Sequence, residues 1–198
     1  MNLKKVIQQK FSIKFITYLL NFIPIKNINI HKKALILVSS SNKIEHLLTI
    51  LKKHINCQFH LLSAISGIDY LQRVQRFVIV YEILSLTFNI RVRVKVFLNE
   101  NNSYNSIKHI FIAATWWERE IWDLFGIFFL KNKEIKRILT DYGFEGHPLR
   151  KDFPLSGYVE TRYDENLKRV VCEPIEHLQE FRVFDFTTGW ALKYGKIS

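Results

Sequence analysis

Cysteine is scarce in this chain. Only Cys57 and Cys172 occur among 198 residues, and no CxxC pair exists. A zinc site or a cysteine-ligated iron–sulfur cluster needs clustered thiolates, so neither is supported. Two lone cysteines suit a reducing compartment. Long apolar runs are also missing: none reaches the ~18 residues that a membrane-spanning helix requires. The nearest, residues 11–25, is interrupted by Lys14, Asn21 and Pro24. The phosphate loops GxxxxGKS and GxxxxGKT, the dinucleotide loop GxGxxG, the ligand pairs HExxH and DxD, and the GxSxG elbow are all absent. Gly143 and Gly146 therefore form no phosphate loop, and Ser156 before Gly157 no nucleophile elbow. The N-terminus has neither the cleavage site of a secretory signal nor the Arg- and Ser-rich look of a transit peptide. An organellar protein with such a start is expected to be made inside the organelle.

Acidic residues are nearly absent from the first third. Residues 1–60 hold ten lysines against one acid, Glu45, whereas the rest of the chain is almost balanced. A basic end can bind nucleic acid or an anionic surface; a solvated lysine face in a Lys-, Ile-, Asn- and Phe-rich chain is the plainer account. Apolar residues make up 48% of the chain, which is enough for a packed core and excludes general disorder. The length supports one domain with an appendage.

The periodicities predict an α/β (α+β) fold, a mixed or antiparallel sheet with flanking helices over residues 1–138, followed by a long extended arm over 139–198. Val6, Ile7, Phe11, Phe15, Tyr18, Leu19 and Phe22 recur at helical steps over residues 3–23, with Pro24 as the stop. Residues 34–39 form a short apolar strand. Ser41-Asn42 opens a helix whose apolar face is Ile44, Leu47, Leu48 and Leu51. Strands are predicted at 58–65, ending at Gly67, and at 76–86 and 89–98. In the last, Ile90, Val92, Val94 and Val96 alternate with Arg91, Arg93 and Lys95, one buried face and one basic face. The short link at 87–89 implies an antiparallel hairpin. The basic row could contact RNA or simply be the wet side of the sheet.

Thr115-x-x-Glu118 has the form of a capping box. It predicts a helix over 116–125 with Trp117, Ile121, Leu124 and Phe125 on one face and Gly126 as the stop. Arg119 and Asp123 are spaced to pair. Asp123 falls in the last turn, where the helix dipole disfavours a carboxylate, so a compensating cation is expected on this chain or a partner. After Leu139 the periodicity fades. Yet Phe181, Val183, Phe184 and Phe186 crowd six residues, and such a patch left in water should lie on something. Asp141, Glu145, His147 and Asp152 are residue types that can bind metal or act as acid and base, but their spacing matches no ligand motif. Arg150 and Lys151 beside Asp152 form an ion-pair cluster, serving either a partner carboxylate or an internal bridge.

Glu118-Arg119-Glu120, Asp123-Leu124-Phe125-Gly126 and the run from Arg137 to Tyr158 closely resemble the signature of the 30 kDa subunit family of respiratory complex I, which includes subunit 9 of mitochondrial genomes and its bacterial counterpart. Arg169-Val170-Val171, Glu173-Pro174, Gln179-Glu180-Phe181-Arg182 and Phe184-Asp185-Phe186 fit the same family. The motifs span about residues 110–190; the first third matches in general layout. One departure is Asn132-Lys133, where the family usually has His-Pro. The resemblance implies an α/β domain with an arm clamped on the neighbouring forty-nine-kilodalton subunit, in the hydrophilic arm of a proton-pumping NADH:ubiquinone oxidoreductase near its quinone pocket. The iron–sulfur subunits of that peripheral arm would be further neighbours. It implies a matrix-side location at the mitochondrial inner membrane, membrane contact only through the complex, and no nucleic-acid partner. It further implies that iron–sulfur clusters, FMN and ubiquinone sit in partner subunits and that this chain binds none. Candidate partner-contacting residues are Glu118, Arg119, Glu120, Asp123, Asp141, Tyr142, His147, Arg150, Lys151, Asp152, Phe181, Phe184 and Phe186. No catalytic or metal residue is expected. A basic organellar RNA-binding protein is the alternative.

Overall fold

A computed structural model describes residues 25–31, 34–176 and 182–184. The predicted helix over 3–23 and the side chains of Phe181 and Phe186 lie outside these residues. Two compact units divide between Leu155 and Ser156.

The first unit is a two-layer α/β sandwich. Its sheet has five strands in the order β1-β2-β5-β4-β3: β1 Asn27–His31, β2 Ala34–Ser39, β3 Leu61–Asp69, β4 Phe77–Ser85 and β5 Ile90–Leu98. β2 pairs parallel with β5, and the other neighbours are antiparallel. Helix α1, Ile44–Lys53, buries the predicted face of Ile44, Leu47, Leu48 and Leu51. Helix α2, Ala114–Phe125, buries Ile121 and Phe125, with Trp117 and Leu124 partly covered. Both helices join one core with Leu37, Ile65, Ile79, Ile83, Val94 and Leu98 of the sheet. Each such side chain contributes ~1.5–3 kcal/mol of burial. Two short strands, β6 Tyr104–Asn105 and β7 Phe129–Leu130, pair in parallel on either side of α2 and fix where that helix enters and leaves.

The hairpin of β4 and β5 is as the alternation predicted, and its turn uses Asn89 at φ 51°. Arg93 forks onto Glu82 of the neighbouring strand, so the basic row is partly neutralised within the sheet. β3 begins later than predicted. Residues 54–59 turn back under α1 instead: Phe59 N–H donates to Leu51 O at 3.0 Å, and Cys57 and Phe59 are buried there. Gly67 does not end this strand. It lies opposite Ile79, and a Cβ on it would stand 2.7 Å from the Phe125 ring. The missing side chain is what lets α2 settle onto β3.

The second unit holds regular extended structure within the expected arm. Strands β8, Val159–Asp164, and β9, Arg169–Pro174, form an antiparallel hairpin. Asp164 Oδ1 accepts from Asn166 and Leu167 N–H in its turn, and Arg162 forks onto Glu173 across it. Both faces are largely exposed, so the sequence carries no inside–outside alternation to reveal the strands. Residues 139–155, expected in the arm, fold with the first unit.

Gly67→Ala should overpack the α2–β3 contact, because the Phe125 ring is itself held against Phe77. We expect a loss of about 1–3 kcal/mol, read as a lower urea midpoint with an unchanged slope.

Candidate functional site: the C-terminal end of helix α2

The last four carbonyls of an α-helix have no partner within the helix. In α2 all four are met. Gly126 N–H donates to Trp122 O at 2.9 Å, Leu149 N–H to Leu124 O at 3.1 Å and Arg150 Nε to Phe125 O at 2.7 Å. His147 Nδ1 lies 2.9 Å from Asp123 O. A carbonyl can only accept, so Nδ1 carries the proton. Three of the four donors come from residues 147–150, which lie over the helix end as a cap. Gly126 makes room for it. Its φ is 73°, and a Cβ there would stand 2.5 Å from the His147 ring and 2.6 Å from Arg150 Nη2. Burial, with Arg150 and Arg137 nearby, pushes the imidazole pKa below its ordinary value despite the bond to Asp123 O, so His147 is neutral at neutral pH.

The Asp123 side chain, fully buried, holds a second segment. Its Oδ2 accepts the backbone N–H groups of Ile138, Leu139 and Thr140 at 3.1, 2.8 and 3.0 Å. Its Oδ1 accepts from Arg137 Nη1 at 3.0 Å and from the Thr140 hydroxyl. Arg137 also donates to Gly146 O at 3.0 Å and so ties 137–140 to the cap. Arg137 is the cation expected for a carboxylate at this end of the helix. Burial alone would raise the Asp123 pKa, but the donors from Thr140, Leu139 and Ile138 outweigh it and hold the carboxyl well below the usual range.

Glu118 works differently. The helix begins after Ala113, two residues earlier than the capping box required, and no side-chain cap bond forms. Glu118 is therefore two residues past the N3 position a capping box uses, and points into the core. It accepts from Ser106 Oγ at 2.7 Å, Ile107 N–H at 2.8 Å and Asn132 Nδ2 at 3.0 Å. It pairs with no lysine or arginine, and burial pushes its pKa up despite those bonds and the nearby His109. Asn132, at the position where the resembled family has His, is buried as one of those donors.

Glu118 and Asp123 thus engage their oxygens inside the chain. The Arg119–Asp123 pair does not form: Arg119 Nε donates to Lys136 O at 3.2 Å and stacks over Trp116. Arg150 forms an internal bridge, 3.0 Å from Glu100. Lys151 donates its backbone N–H to Asp69, and Asp152 pairs with Arg76 at 2.8 Å. Glu120 is half-buried, Asp141 and Tyr142 face solvent, and Phe184 is exposed. Sequence reasoning missed Asp69, Arg76 and Glu100, which come from separate strands and loops. Among the described residues no three His, Cys, Asp or Glu side chains converge to hold a metal ion. The satisfied segment instead displays apolar side chains: Leu139, Tyr142, Leu149 and Leu155 are exposed, Tyr142 completely.

The end of α2 is thus sealed by a loop that turns apolar side chains outward. The fold is shared with a chain of the membrane-bound sulfane sulfur reductase, an archaeal respiratory membrane complex. That match has a TM-score of 0.63 and 23% identity, and covers 81% of this chain and 99% of the other. Residues 37–159 match the family described as respiratory-chain NADH dehydrogenase, 30 Kd subunit. The chain is 55% identical over 144 residues to NADH-ubiquinone oxidoreductase subunit 9 of Reclinomonas americana, covering 73% of this chain and 71% of that protein. It is 51% identical over 152 residues to NADH dehydrogenase [ubiquinone] iron-sulfur protein 3 of Arabidopsis thaliana, covering 77% and 80%. The chain belongs to the 30 kDa subunit family of the respiratory-chain NADH dehydrogenase, and so to an assembly of the complex I type.

Asp123→Asn removes the charge that Arg137 and three backbone donors share. We expect a loss of about 3 kcal/mol at neutral pH, the low end for breaking a buried pair, since Arg137 is partly exposed. The folded pKa of Asp123 is depressed, so its contribution is complete above its unfolded value of about 4 and is lost as pH falls through the lower folded value. The gap in unfolding free energy between wild type and variant should therefore narrow below about pH 4. Glu118→Gln sets an amide N–H2 against the Ser106 and Asn132 donors and should cost roughly 1–3 kcal/mol, measured by urea unfolding at pH 7.

Proposed function

We propose that this chain is a non-catalytic structural and assembly subunit of the peripheral arm of the proton-pumping NADH:ubiquinone oxidoreductase, clamping the forty-nine-kilodalton subunit near the quinone site. The observation that carries the reading is the segment 137–155. Its Arg137, Arg150 and Asp152 are engaged by the end of α2 and by internal ion pairs, while Leu139, Tyr142, Leu149 and Leu155 face outward. A surface so arranged contributes shape and apolar area to a partner with little further ordering. The hairpin of β8 and β9 supports the reading independently. An isolated two-stranded sheet is marginal in water, and this one exposes Val159, Tyr163 and Val170.

On this reading the clusters, FMN and ubiquinone belong to partner subunits. Burial pushes the Cys57 thiol up to about 11, which disfavours the thiolate a cluster needs. Cys172 stands on β9 without a cysteine neighbour in sequence. The complex would place the chain on the matrix side of the mitochondrial inner membrane; no helix among the described residues is long and apolar enough to cross a membrane. Mitochondrial encoding accords with the Lys-, Ile-, Asn- and Phe-rich composition.

The double variant Tyr142→Ala/Leu149→Ala should leave the unfolding midpoint nearly unchanged. It should lower recovery of the clamped subunit with the tagged chain about tenfold, as expected for removing interface anchors. Wild-type recovery together with full NADH:ubiquinone activity would sink the docking role of this segment. The purified full chain should show no iron by elemental analysis and no visible charge-transfer absorption; stoichiometric iron would overturn the cofactor assignment.

A further inference from the structure

The side chain of Asp69 is fully buried at the end of β3, far in sequence from the cap it touches. Its Oδ1 accepts from Arg76 Nε at 2.8 Å, and its Oδ2 from Arg76 Nη2 at 2.9 Å and from the Lys151 N–H at 2.9 Å. That fork does not exhaust Arg76. Its Nη2 also reaches Asp152 at 2.8 Å, and its Nη1 reaches both oxygens of Glu100 at 3.2 Å. Glu100 in turn accepts from Arg150 at 3.0 Å, and both guanidinium groups lie against the Phe77 ring. One buried carboxylate and one arginine therefore grip Lys151 and Asp152 from the end of the sheet, and reach Arg150 through Glu100. The α2 cap holds the preceding residues; nothing in α2 holds Lys151 or Asp152.

We infer that Asp69 and Arg76 are positioning residues for docking, which set residues 150–152, and with them Leu149 and Leu155, in the geometry the neighbouring subunit meets. A bidentate fork is needed because a planar guanidinium can serve Asp69, Asp152 and Glu100 at once, whereas a lysine ammonium is a single point charge on a flexible stem. Both arginines are shared among three carboxylates, so the segment is fixed before any partner arrives. The inference rests on the docking reading above and deepens it.

The test uses the full chain, first alone and then with the subunit it is proposed to clamp. In Asp69→Ala, amide hydrogen exchange at Lys151 and its neighbours should quicken about ten- to a hundredfold, the effect of losing a hydrogen bond to a charged group. Exchange in β4 and β5 should stay unchanged. Arg76→Lys, which keeps the charge and is the milder change should Asp69→Ala fail to fold, should show the same local loosening. Both should lower recovery of the clamped subunit about tenfold, the scale set by loss of an interface anchor. Tyr142→Ala/Leu149→Ala should lower recovery without changing exchange at Lys151. Unchanged exchange at Lys151 in Arg76→Lys would overturn the inference and leave the docking reading to the Tyr142/Leu149 variant. Quickened exchange with undiminished recovery would also overturn it, since the geometry would then not matter to the partner.

Discussion

The buried C-terminal end of α2 is the constraint on which the rest of the first unit depends. A helix that ends inside a protein leaves carbonyls that water cannot reach, and each must find a donor. Here a carboxylate in the last turn adds a buried negative charge at the end where the helix dipole already places one. Residues 126–153 read as the answer to that demand. Gly126 turns the chain back, 137–140 present backbone N–H groups and Arg137 to Asp123, and 147–150 close the carbonyls. Little of this stretch is regular, because its backbone conformation is set by the positions of acceptors on α2 and not by a repeating bond pattern of its own.

Two carboxylates on the same helix illustrate how surroundings decide a charge. Asp123 has an arginine and three backbone donors, and its ionised form is favoured. Glu118 has three donors but no arginine, and burial raises its pKa. Both hold segments that approach α2 from elsewhere: Glu118 the residues before the helix and Asn132, Asp123 the residues after it. Asp69 repeats the device from the sheet. Much of the charge around 118–152, which by composition alone could serve an active site, is used internally as fasteners: Glu118, Asp123, Arg137, Arg150 and Asp152. Leu139, Tyr142, Leu149 and Leu155 remain exposed on the segment so fastened.

Much of the scaffold was legible from local pattern. The α1 face, β2, the β4–β5 hairpin and the Gly126 stop each depend on a period or a single residue, and each was found where expected. The need for a cation near Asp123 was also legible, because the dipole argument is local. Other features were not. The capping box at Thr115 failed because the turn at 107–114 started the helix earlier, displacing Glu118 past the cap. β3 was displaced because Cys57 and Phe59 were needed beneath α1. The β8–β9 hairpin was hidden because neither face is buried, so no alternation marks it.

By itself the sequence determined the mixed α and β content, the helix that ends at Gly126, the lack of clustered thiolates and the family signature from Glu118 to Tyr158. Those depend on residues near one another in the chain. Only the tertiary structure decided what the charges do: that Glu118 turns inward, that Arg150 caps a carbonyl and pairs with Glu100, and that Asp69 and Arg76 grip Lys151 and Asp152. Hydrogen bonds between groups tens of residues apart have no period and no spacing rule. They exist because folding brought unpaired donors and acceptors into one dry place, where each had to be matched.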